Sequence, residues 1–203
     1  MNRSHATAIW MIAAFCTALV LAAAVWATSG TGPTGTARAL RLTACFSYLL
    51  FWGVYAGGTL TTLFGPTFQP IRRHVREFGL AFAAAQLVYV GLVIWLYQVC
   101  DTPPISGRMF WLFTAGLIWT YLLALFSIRP LAQALGQWGW RLLRLIGLET
   151  VSVVFLINFI IRPFGAGVVT SSIYIVFIML SVAGTILRIG AWASRGAAVV
   201  HRT

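Results

Sequence analysis

Residues 72–97 read RRHVREFGLAFAAAQLVYVGLVIWLY: Arg72, Arg73 and Arg76, then Gly79, then an apolar run broken only by Gln86 and the hydroxyls of Tyr89 and Tyr97. Wound as a helix at ~1.5 Å per residue, about twenty such residues match the ~30 Å hydrocarbon core of a bilayer. Arginines at the start of such a helix stay with the headgroup phosphates. Residues 79–99 are therefore expected to cross a membrane, beginning from the charged side.

Five further runs share this character, at 8–27, 42–63, 109–128, 145–161 and 169–190, the run at 145–161, fifth of the six in chain order, being cut short by Arg162-Pro163. The chain has 203 residues, 60% hydrophobic and 8% charged, with a mean hydropathy of +0.90. That leaves too little polar surface for a water-soluble domain. The expectation is all-α, an integral membrane bundle of six transmembrane helices forming one domain over 1–203, with no internal repeat.

All fourteen basic residues are arginine, against the acids Glu77, Asp101 and Glu149, for a net charge of +11. In a soluble chain that excess would point to nucleic acid. Here the arginines flank apolar runs, so the partner they imply is the lipid bilayer, not nucleic acid. One side of the membrane would hold Arg3, Arg72, Arg73, Arg76, Arg129, Arg141, Arg144, Arg188, Arg195 and Arg202, the other Arg38, Arg41, Arg108 and Arg162. The positive-inside rule then makes both termini cytoplasmic, in a multi-pass protein of a bacterial-type inner (plasma) membrane.

Local signals refine this frame. The first run follows a short basic start and resembles a signal peptide, but its length favours an uncleaved helix. TSGTGPTGTAR (28–38) reads as a polar loop. Gly53 and Gly57 have the small-xxx-small spacing that lets helices approach closely in lipid. Gly65-Pro66 and Pro70 end the second helix. Glu77 is four residues from Arg73, a spacing that allows an ion pair.

Gln86 and Tyr89 share one helix face at membrane depth, and such groups turn towards other helices. RPLAQALGQWGWRLLR (129–144) interleaves Trp and Arg as an interfacial helix does. Glu149, about one turn inside the fifth run, needs a partner, Arg144 or an arginine on a neighbouring helix. Asn158 lies deeper. Ser171, Ser172, Ser181, Gly184 and Thr185 suit close packing of the sixth helix. Cys45 and Cys100 are both expected near the non-cytoplasmic ends of their helices, where a disulfide is topologically allowed but buried thiols are commoner. Cys16 reads as a packing residue.

Catalytic and cofactor signatures are lacking. His5, His74 and His201 fall outside the apolar runs, so no imidazole stands ready for a haem or a metal inside the bundle. There is no GxGxxG, no GxxxxGK[ST] and no CxxC.

The stretch RxFGLAFAAAxLVxxGLVIWLY (76–97), the later WRLLRLIGLE (140–149) and the six-helix arrangement resemble the ferric-reductase-like transmembrane family, which includes haem-binding membrane subunits of methionine sulfoxide reductases. The resemblance runs from the second helix to the sixth. It implies a bundle that holds haem b between histidines and passes electrons across the membrane. Its ligand positions fall here on Tyr89, on Leu143 within Leu142-Leu143-Arg144, and near Leu156. Leucine cannot ligate iron, and Tyr89 alone is a poor substitute for paired imidazoles.

The reading is a non-catalytic protein of ferric-reductase-like fold, with no cofactor and no metal, acting as a structural or partner-binding membrane subunit. Two alternatives stay open. One is an electron-transfer subunit with unusual haem b ligation, or a haem shared with a redox partner protein. The other is a small transporter using Glu149 and Asn158, with Gln86 as a further intramembrane polar residue.

Overall fold

In a computed structural model, residues 3–100, 107–127, 129–161 and 168–200 are described, and every described element is helical. The loop at 101–106, Arg162-Pro163, His201 and Arg202 lie outside them, as do the side chains of Arg3, Arg108, Arg129, Ser171, Ser172 and Arg195. The helices are α1 (Arg3–Ser29), α2 (Pro33–Phe64), α3 (Gln69–Arg73), α4 (Val75–Val99), α5 (Gly107–Phe126), α6 (Arg129–Ala134), α7 (Gly136–Ile161) and α8 (Val168–Val200). Six of them, all but α3 and α6, are long and apolar enough to cross a membrane.

Two boundaries differ from the sequence reading and one agrees with it. The polar loop between the first two helices shrinks to Gly30–Gly32, because Pro33 sits at the first turn of α2, where its missing N–H costs nothing. Gly30 takes φ +75°, and a Cβ on Gly35 would run into the Gly30 carbonyl, so the tight reversal needs glycine at both positions. At the other end of α2, Gly65 at φ +76° and Pro66 do stop the helix, and a short 3-10 turn (Gly65–Phe68) leads into α3. The Trp/Arg segment at 129–144 is not one interfacial helix. Gly136 at φ +71° breaks it into α6 and the first turns of α7.

Helix α2 is the hub. One of its faces packs against α1 and α4 through small side chains: Ala39 and Ala44 meet Ala18 and Ala22 of α1 and Ala85 and Val88 of α4. Small residues bring backbones close, which is how helices gain attraction where lipid supplies no hydrophobic drive. The other face is aromatic. Tyr48 meets Phe155 and Phe159 of α7 at centroid distances of 5.2 and 5.1 Å, and Phe51 meets Phe82 of α4 at 5.5 Å. Each such pair contributes about 0.5–1.5 kcal/mol beyond area burial.

Two hydrogen bonds fasten α2 to α8. The Tyr48 hydroxyl lies 2.6 Å from Ser181 Oγ, which itself donates to the Phe177 carbonyl, so Tyr48 is the donor. Trp52 Nε1 donates to the Leu180 carbonyl at 3.0 Å. Outward-facing Ile12, Val20, Ile118, Ile175 and Ile186 give the bundle an apolar exterior suited to lipid.

The Gly53–Gly57 spacing serves packing within the chain. A Cβ on Gly57 would lie 2.9 Å from Ile71 Cγ2 and 3.2 Å from Val75 Cγ2, whereas one on Gly58 meets nothing within 4 Å. Cys45 is buried, Cys100 half-buried, and the two are thiols with no disulfide between them. Cys16 is exposed on the outer side of α1 and so does not pack inside the bundle.

Gly57→Val should cost about 1–3 kcal/mol through overpacking against α3 and α4, whereas Gly58→Val should be close to neutral. Thermal unfolding of both variants in the same detergent checks this; equal midpoints would contradict the packing described.

Candidate functional site

Three groups of polar side chains bear on function. The first lines a cavity of about 610 Å³ at the end of the bundle where α2 and α5 finish and α4 and α7 begin. Arg72 and Arg73 of α3, Arg76 of α4 and Arg144 of α7 line it, and all four are exposed. Its floor is made of buried residues, Phe51, Phe82, Thr120, Leu148 and Val151. The mouth is therefore cationic and the base apolar. Arg76 and Phe82 are six residues apart on α4, so the drop from mouth to floor is roughly 10 Å. Helix α3 exists because Pro70 starts it and His74 ends it, and this one-turn step sets Arg72 and Arg73 over the opening. The His74 ring is packed against Trp10 of α1 at 6.2 Å and does not line the cavity.

The second place is a small cavity of about 30 Å³ that shares Thr120 and Val151 with the first. Gln86, Tyr89 and Asn158 all line it. Gln86 Oε1 is buried with no hydrogen-bond partner, and Thr120 Oγ1 donates to the Gly116 carbonyl at 2.8 Å. The space is that of about one water, and its polar walls could bind one.

The third place is around Glu149. Arg188 of α8 reaches Glu149 Oε1 with Nε at 3.2 Å, and the Tyr55 hydroxyl of α2 donates to Glu149 Oε2 at 3.0 Å. The Arg188 guanidinium also lies over the Tyr55 ring, 4.6 Å from its centroid. One acid thus joins α2, α7 and α8. Of the two partners expected for Glu149, the arginine on a neighbouring helix is the one used. Because α7 begins at Gly136, ahead of the apolar run, the acid lies roughly three and a half turns along its helix.

Other expectations are redistributed. Glu77 forms no ion pair with Arg73; its Oε2 is buried without a hydrogen-bond partner. Gln86 and Asn158 come together, but Glu149 does not join them. Nine residues separate Glu149 from Asn158, which puts them on opposite faces of α7 and roughly 13 Å apart along it. Tyr89 is buried among Ala44, Phe113 and Gln86, while Leu143 and Leu156 are half-buried and line neither cavity.

Tyr55, Thr120, Trp140 and Arg188 escaped the sequence reading as site residues. Arg188 carried a usable signal, since it falls inside the sixth apolar run, where a charge needs a partner. Tyr55, Thr120 and Trp140 carried none that separates them from ordinary helix residues.

Among the described residues no three His, Cys, Asp or Glu side chains gather into a metal-holding group. The described lining residues of the large cavity include no His, Cys, Met or Tyr. Haem iron needs an axial nitrogen, sulfur or phenolate donor, and arginine stays protonated and cannot ligate. The residues of this cavity do not fit a haem. The 30 Å³ cavity beside Tyr89 is far too small for a macrocycle. Comparison with protein-family models, curated proteins and solved structures finds no match to this chain.

Glu149→Gln should lower stability by about 1–3 kcal/mol, because it leaves the largely buried Arg188 without its counter-charge. The double change Glu149→Gln/Arg188→Gln should cost less than the sum of the single changes, as coupled partners do. Additive shifts in a detergent unfolding series would contradict the pairing.

Proposed function

We propose that this chain is a multi-pass inner-membrane protein whose bundle is ferric-reductase-like but carries no haem, and that it acts as a structural or partner-binding membrane subunit. The observation that carries this reading is the mismatch between space and ligands. The cavity with room for a cofactor offers no axial donor among its described lining residues, and the resemblance assigns the ligand positions to residues that do not share a cavity. Leu143 and Leu156 are thirteen residues apart on α7, a separation that puts them on different faces of the helix. Tyr89 packs against Phe113 and lines the small cavity with Gln86.

The orientation belongs to the same proposal. Arginines at 72, 73, 76, 141 and 144 cluster at one end of the bundle, so by the positive-inside rule that end, with both termini, is cytoplasmic. A transporter built on Glu149 and Asn158 is disfavoured, because Arg188 and Tyr55 hold the acid and Asn158 faces the other side of α7. Electron transfer is disfavoured on the same grounds as haem binding.

Protein purified from membranes should have no Soret band and give no stoichiometric pyridine haemochrome. Tyr89→Phe should leave the spectrum unchanged. A one-to-one haemochrome lost on Tyr89→Phe would overturn the reading in favour of electron transfer.

A further inference from the structure

We infer that the arginine-mouthed cavity binds a phosphate-bearing amphiphile, the phosphate held among Arg72, Arg73, Arg76 and Arg144 and an aliphatic chain reaching the apolar floor. The inference does not rest on the absence of haem; it concerns charge and shape alone. Four guanidinium groups line the opening, and no carboxylate is among the described lining residues. Neither of the two acids in the described part of the chain lines the cavity. Glu149 is held by Arg188 and Tyr55, and Glu77 does not line the cavity.

Gathering four like charges is unfavourable unless an anion sits among them, and near lipid the penalty is less screened than in water. Guanidinium is the side chain best shaped for phosphate, because its planar fork donates two parallel hydrogen bonds. Ser127, Thr62 and the Trp140 indole add polar groups to the lining. Below them Phe51, Leu80, Phe82, Leu148 and Val151 form an apolar wall.

Cationic groups above and apolar groups below match an amphiphile better than a free ion, which would leave the floor without a partner. The volume of about 610 Å³ falls in the range of small-molecule sites. The mouth lies where the spanning helices begin and end, the depth at which phosphates of the bilayer are found. Gly58 lines the cavity, and a Cβ added there meets nothing within 4 Å, so larger side chains at this position grow into the space without disturbing the packing.

Binding of dioctanoyl phosphatidic acid, dioctanoyl phosphatidylcholine and inorganic phosphate to the detergent-solubilised full chain tests this, read by titration calorimetry. Phosphatidic acid should bind saturably at one per chain and at least about tenfold more tightly than the other two probes. Arg76→Gln/Arg144→Gln should weaken it about tenfold or more, while Arg38→Gln, near the opposite end of α2, should leave it within about twofold. Gly58→Leu keeps every arginine and should weaken phosphatidic acid while leaving inorganic phosphate unchanged. Equal affinity for phosphatidylcholine, indifference to the double arginine change, or inorganic phosphate binding as tightly as the lipid with Gly58→Leu inert would each overturn the proposal. The last outcome would mean a small-anion site only.

Discussion

The structure depends on how α2 packs in an environment where burying apolar surface brings no reward. Lipid tails are as apolar as leucine, so helices associate only where their surfaces fit closely or where polar groups bond across the gap. Helix α2 does both. Its alanine face lets α1 and α4 approach, and its aromatic face interlocks with α7 and α8. Tyr48, Trp52 and Tyr55 lie on this hub and reach Ser181, Leu180 and Glu149 respectively, so three of the polar bonds that orient the late helices start from one early helix.

That arrangement separates the polar chemistry by depth and by side. The Glu149–Arg188–Tyr55 group consumes its own charges and serves as a clasp between α2, α7 and α8. Gln86 and Asn158 face a space with room for about one water, which fits local hydrogen bonding and not passage. The arginine mouth joins a cluster of cationic side chains, with no carboxylate among its described lining residues, to a cavity of about 610 Å³.

Much of the fold was legible because membrane spans are written in length and hydropathy, which need no tertiary information. The six spans follow from that signal, as does the stop at Gly65-Pro66. The early start of α2 was hidden because Gly, Thr and Pro at 30–37 read as loop, although proline is at home in a first helical turn. The early start of α7 was hidden because Trp and Arg read as an interfacial segment, although Trp140 and Arg144 turn inward to the cavity. Gln86 and Asn158 were legible as buried polar groups, but their convergence depends on the rotation of α4 against α7, which no local pattern encodes. The arginine cluster was read as a topology signal. That Arg144, about seventy residues downstream, shares its cavity follows only from the packing of α5 and α7 against the rest.

The central proposal is that this arginine-lined mouth opens at the cytoplasmic surface of a six-span bundle. It is tested most directly by replacing Cys16, Cys45 and Cys100 with serine, introducing Ser127→Cys at the cavity wall, and exposing membrane vesicles to an impermeant maleimide. The account predicts labelling in inside-out vesicles and none in right-side-out vesicles; labelling confined to right-side-out vesicles would contradict it.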